Sequence, residues 1–254
     1  MNTTALDISI LGPAFLAGLL VLATHVPLGI QVLTRGIVFI DLAIAQVAGI
    51  GVIAADAAGW EPQGWAVQIV AVAAALAGAL LLTYTEKRWP EVQEALIGVL
   101  FVLASSAGIL LLANNPHGGE HLKDLLVGQI LWVTPHQLGL VAALTLVLLV
   151  VWLLFAPRLG RIGFYAVFAF AVTASVQLVG VYLVFASLII PALATRPIAN
   201  LRIRQVLAYA TGVVAYALGL AVSALADLPS GAVVVLTMAL LGILFAVVVA
   251  GRRA

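Results

Sequence analysis

Between Arg161 and Arg196 the chain carries no charged side chain: IGFYAVFAFAVTASVQLVGVYLVFASLIIPALAT. One membrane-crossing helix uses about 20 residues at a rise of ~1.5 Å each, so the tract is longer than one crossing and shorter than two. A plain straight span does not account for it. Gln177 and Gly180 place a polar amide and a residue free to turn near its middle, and Pro191 lacks a backbone donor. These features predict a pair of short helices over 163–195, broken at Gly180, that enters the bilayer and returns to the side it left. Backbone groups freed at such a break must be met by protein or by a water-filled cavity, so the break faces the inside of a bundle and is a candidate pathway wall. The alternative is one long, tilted helix kinked at Pro191.

The rest of the chain is of the same kind. Of its 254 residues 65% are hydrophobic and 8% charged, with a mean hydropathy of +1.25. A soluble domain carries about a quarter charged residues. The expected fold class is all-α, a polytopic membrane helix bundle of about eight to nine spans including the broken pair, forming a single transmembrane domain over 1–254. Apolar runs place spans near 10–33, 37–58, 65–84, 95–113, 136–156, 163–195 (the pair), 206–225 and 232–250. The run Leu125 to Val133 is too short to cross and reads as a re-entrant or interfacial helix, or as the start of one long helix continuing into span five. Met1 to Ser9 carry Asp7 and no Lys or Arg, which speaks against a cleavable signal.

Basic residues set the expected orientation. With Arg35, Lys87, Arg88, Arg158, Arg161, Arg196, Arg202, Arg204, Arg252 and Arg253 on one side, every Lys and Arg but Lys123 obeys the positive-inside bias. The C-terminus is then cytoplasmic and the N-terminus external, provided 163–195 crosses and comes back.

Chemistry-bearing residues are few. There is no Cys, which excludes disulfides, Fe–S clusters and thiolate metal sites and leaves His, carboxylate, amide or backbone ligands for any metal. Asp41 is the one carboxylate set well inside a span, six residues past Arg35 and so about 9 Å along a helix. A charge there needs a partner, water or a cation, and both readings, cation ligand and paired structural carboxylate, are open. Gln46 and Gln177 are further pathway candidates. His117, Glu120 and His121 in the external loop are possible metal collectors; Gly118 and Gly119 oppose the helix that an H-x-x-E-H protease motif needs. His25 is intramembrane and ionisable, with a helix-to-helix hydrogen bond as its commonest use. Ser105 and Ser106 have no His or Lys beside them, so a serine hydrolase has no support. No G-x-x-x-x-G-K-[ST] occurs, so the chain binds no ATP through a P-loop. Small-residue stripes, Thr211/Ala215/Gly219/Ser223 and Ala71/Ala75/Ala79, predict close helix packing.

The run Val179 to Arg196, VGVYLVFASLIIPALATR, resembles the VG-x-L-L-V-x-x-L-L-I-I-P-A-A-x-A-R segment of ABC-importer permeases for zinc, manganese or iron. Gly12–Gly18 with Pro27–Gly29, Glu86–Arg88 with Glu94–Gly98, Asp124–Thr134 and Asp227–Leu236 are similar to further family segments in the same order, over nearly the full chain. The resemblance implies a permease subunit of a prokaryotic cytoplasmic (inner) membrane. It would be a homodimer with the pathway at its interface, driven by a separate cytoplasmic ABC ATPase and fed with zinc, manganese or iron by an external metal-binding protein. The cargo is a divalent cation; no nucleic acid is expected. Arg158, Arg161, Arg196, Arg202 and Arg204 would meet the ATPase.

Two departures stand out. The family's R-x-x-x-x-x-D-x-L-x-H segment matches Asp41, but Ala45 holds the His position, and Gln46, about 140° further round the helix, does not share that face. The family's longer ATPase-docking segment is reduced here to Ala156–Gly163. The second departure favours an alternative, an ATP-independent carrier or channel on the same scaffold. An intramembrane enzyme is a third class, lacking a paired nucleophile and base.

Overall fold

A computed structural model describes residues 7–57, 59–60, 64–112, 126–155 and 158–251. Its helices are α1 Ile8–Arg35, α2 Ile40–Ala57, α3 Trp65–Arg88, α4 Gln93–Leu112, α5 Pro135–Phe155, α6 Gly160–Val179, α7 Val181–Ala194, α8 Leu201–Ala226 and α9 Ser230–Gly251. Short 3-10 turns lie at Pro90–Val92 and Ile130–Trp132. Among the described residues seven helices are long and apolar enough to cross a membrane: α1, α3, α4 with its preceding turn, α5, α6, α8 and α9. The architecture is a polytopic all-α membrane bundle, as the composition implies.

The uncharged tract is broken at Gly180, which has φ +80° and ψ 163°. Its first half is not short: α6 has 20 residues and spans about 30 Å. The helix starts ahead of the tract, at Gly160, and carries Arg161 in its first turn, with Nε 3.4 Å from Glu86 Oε1. The second half, α7, has 14 residues and is about 21 Å long. Pro191 lies inside α7 without ending it, so the break falls at Gly180 and not at the proline.

The pair returns to the end it left. Phe164, near the start of α6, lies under the Arg35 guanidinium, 4.0 Å from its ring centre. Helix α8 runs antiparallel to α1, with Tyr216 against Gly18 and Gly212 against Leu22, so Arg202 and Arg204 stand at the Arg35 end. At the far end of α7 the Ala192 carbonyl accepts a hydrogen bond from Arg204 Nη2 (3.3 Å). Helices α1 and α6 form the inside of the bundle, with 67% of their membrane-length windows buried against 11% for α5.

A proline inside a transmembrane helix leaves the carbonyl one turn back without its usual donor. Pro27 cannot bond the Ala23 carbonyl one turn back, and the Tyr209 hydroxyl of α8 donates to it instead (3.0 Å). The small-residue stripes are packed as expected. Gly219 abuts Val234 of α9, Ser223 and Ser230 hydroxyls are 2.6 Å apart, and Ala71, Ala75 and Ala79 are buried.

Of the stretch 125–133 the described residues, 126–133, are not one helix, nor do they continue into the next span. Its described part turns at Gly128 (φ +71°), makes the 3-10 turn Ile130–Trp132 and is extended at Val133. A fresh N-terminus follows: Thr134 and Gln137 bond each other's side chain and backbone in both directions, a capping box that starts α5 at Pro135. The reason for the turn is tertiary. Gly128 packs on the backbone of Val179 and Gly180, and Val127 packs on Gly231.

Candidate functional site

Asp41 occupies the first turn of α2 at the Arg35 end of the bundle. It is 1% exposed, and among the described residues neither carboxylate oxygen has a hydrogen-bond partner. A helix N-terminus favours the anion, but a carboxylate removed from water without donors still lacks a counter-charge. Two arginines of this end are engaged elsewhere. Arg35 sits on the Phe164 ring, and Arg161 pairs with Glu86.

A second carboxylate stands on the helix packed against α2 and reaches the backbone just ahead of Asp41. Helix α2 packs against α4, whose first turn carries Glu94. Glu94 Oε1 accepts the backbone N–H of Phe39 (3.2 Å), two residues before Asp41, while Glu94 Oε2 is buried and has no partner. Three carboxylate oxygens without donors are thus collected where α2 and α4 begin. Glu94 is the residue that sequence reading missed as a site candidate. It opens the apolar run of span four six residues after Arg88, the same offset at which Asp41 follows Arg35, and that shared offset was the available signal.

An adjoining network fixes this end. Thr85 Oγ1 donates to Gln93 Oε1 (2.9 Å), and Gln93 Nε2 donates to the Leu82 carbonyl (3.0 Å) and the Tyr165 hydroxyl (3.3 Å). These bonds join α3, α4 and α6 and hold the start of α4, hence Glu94, in place.

The other pathway candidates are dispersed. Ala45, one turn above Asp41, is 1% exposed and presents only a methyl group. Gln46 is buried but rotated away from Asp41. Gln177 is exposed near the far end of α6, about 20 Å along that helix from Phe164, which lies under Arg35 at the other end. The structure therefore does not bring Asp41, Gln46 and Gln177 together. Among the described residues no group of three or more His, Asp or Glu could hold a metal. His117, Glu120 and His121 lie outside the described residues.

His25 is fully buried and bonded within its own helix, Nδ1 lying 2.9 Å from the Val21 carbonyl and 3.0 Å from Thr24 Oγ1. The helix-to-helix bond expected of it is therefore not made by Nδ1, and among the described residues its partners include no Ser or Asp to form a nucleophile–base pair. Of the arginines, Arg158, Arg161, Arg196 and Arg202 are exposed, and Arg204 is part-buried on Ala192. The connection between α5 and α6 is short, and Arg158 N–H and Leu159 N–H both bond back to the Phe155 carbonyl.

Comparison with known proteins agrees with this anatomy. A "Probable metal transport system membrane protein" of Chlamydia trachomatis is 29% identical over 76 residues, 30% of this chain and 26% of that protein. An uncharacterized membrane protein of Synechocystis is 27% identical over 178 residues, 62% of this chain and 63% of that protein. The chain thus spans about a quarter and under two thirds of these curated relatives. Among solved structures, PsaBC of Streptococcus pneumoniae in complex with Fab has TM-score 0.78 at 20% identity, covering 96% of this chain and 95% of that one. An inward-facing transporter described as of metal-chelate ABC type has TM-score 0.66 at 18% identity, covering 94% and 85%. At those identities the likeness is one of fold. The profile of the ABC 3 transport family matches residues 7–164 and 155–250, dividing at the short α5–α6 connection. The chain belongs to the ABC 3 transport family.

Proposed function

We propose that this chain is the membrane permease subunit of an ATP-driven importer for a divalent metal ion. Two copies form the pathway, a separate cytoplasmic ATPase pair drives it, and an external metal-binding protein delivers the ion. The observation that carries the reading is family membership over almost the whole chain. The buried, unpaired Asp41 on the inner side of the bundle adds to it, since a carboxylate left without donors suits a passing cation. The metal wording in the name of the chlamydial relative and in the description of the metal-chelate type transporter points the same way.

Zinc, manganese and iron are the candidate cargoes. The basic end, with Arg158, Arg161, Arg196 and Arg202 exposed and Arg204 part-buried, is the proposed cytoplasmic face and ATPase contact. The chain would then lie in a prokaryotic inner membrane with its C-terminus in the cytoplasm.

Affinity purification of the tagged chain from its native membrane tests the partnership. Recovery of a P-loop ATPase is the expected result; repeated purification without one contradicts a coupled importer. The short α5–α6 connection favours a second reading, an ATP-independent carrier or channel on the same scaffold, which would transport without any such partner.

A further inference from the structure

The unpartnered ligand atoms where α2 and α4 begin are carboxylate oxygens. Asp41 offers two and Glu94 one, each buried and each without a hydrogen-bond partner. Glu94 is tied to the same spot through its other oxygen, which holds the Phe39 N–H at 3.2 Å. The Gln93 network pins the turn on which Glu94 sits. One turn above Asp41 the helix face gives the Ala45 methyl, and His25 points its Nδ1 at its own helix. No imidazole or thiol stands with the two carboxylates among the described residues. Asp41 is buried and Glu94 half-buried; two such carboxylates repel each other, and together they balance one divalent charge. Oxygen-only sets suit hard cations such as manganese or magnesium, whereas nitrogen and sulfur donors favour zinc.

Resting on the importer reading above, we infer that Asp41 and Glu94 together form a carboxylate-only cation site, and that its missing nitrogen donor tunes the pathway toward a hard divalent ion of the manganese class and away from zinc. The site lies at the Arg35 end and is closed to solvent on the Asp41 side in this conformation, so an ion there is held between releases. Glu94 thereby becomes a selectivity residue.

The test is equilibrium titration of the full chain in lipid nanodiscs with MnCl2 and separately with ZnCl2. It compares the unaltered protein with Asp41→Asn, Glu94→Gln and Glu94→His. Glu94→Gln keeps the shape and the Phe39 contact, and thermal unfolding of each variant gives the control for folding. The expected result is manganese binding weakened at least about tenfold by Asp41→Asn and by Glu94→Gln, with the zinc-to-manganese affinity ratio raised at least about tenfold by Glu94→His. If Asp41→Asn weakens manganese binding while both Glu94 variants leave affinity and ratio unchanged, the paired site is wrong although a pathway ion at Asp41 survives. If no variant alters binding of either metal, both the paired site and Asp41 as a cation ligand fail.

Discussion

Gly128 and Gly180 lie backbone against backbone, so that a β-carbon built on either would fall on the main chain of the other. Both have positive φ, +71° and +80°. The turn that ends α6 and the turn that interrupts 126–133 are therefore one packed unit, fitted where α9 begins, since Gly231 in turn abuts Val127. This contact explains why the uncharged tract breaks where it does. Freed backbone at the break is covered by protein, as a bilayer requires.

Replacing Gly180 or Gly128 by Ala meets both a backbone conformation that side chains rarely adopt and a main-chain collision. Each change should lower the unfolding free energy in mixed micelles by about 3 kcal/mol or more. Gly98→Ala is the control, because its β-carbon would meet nothing within 4 Å. That variant should be neutral or more stable by up to about 1 kcal/mol. Equal losses at all three glycines would refute the packed-turn account.

Tyr209 and Pro27 form a compensating pair. Tyr209→Phe strands the Ala23 carbonyl and should cost about 1 kcal/mol. In a Pro27→Ala background the new N–H reclaims that carbonyl, and the same tyrosine change should then cost a few tenths of a kcal/mol. A double-mutant cycle of unfolding free energies measures the coupling. Additive effects would show that the hydroxyl does not substitute for the missing proline donor.

At the basic end, burial and not charge should decide stability. Gln93→Ala removes bonds to Thr85, Leu82 and Tyr165 in a buried setting and should destabilise by about 2 kcal/mol. Arg161→Ala breaks an ion pair whose arginine is 54% exposed and should cost under about 1 kcal/mol. Raising salt should shrink the second effect and leave the first unchanged.

Much of this architecture was legible because hydropathy and helix length are local. The spans, the break at Gly180 and the gathering of Arg35, Arg88, Arg161 and Arg202 at one end follow from runs of apolar residues bounded by charge. Two features were not legible. The short helix expected over 125–133 is undone by Gly128, whose partner Gly180 lies far along the chain, and no local pattern records such a contact. The other is the pairing of Asp41 with Glu94. In the sequence Asp41 reads as a lone carboxylate inside its span and Glu94 as a flank of its own helix, and only the packing of α2 on α4 relates them. The resemblance drew attention to Ala45, where a ligand is missing, and away from the carboxylate on the neighbouring helix.

The most direct test of the importer reading is metal uptake into proteoliposomes. It reconstitutes the full chain with the ATPase that copurifies with it and measures uptake of radioactive manganese with ATP, with no nucleotide and with Asp41→Asn. Uptake that needs ATP and falls at least about tenfold in the variant is the predicted result. Equal uptake with and without ATP, or uptake indifferent to Asp41, would contradict the account.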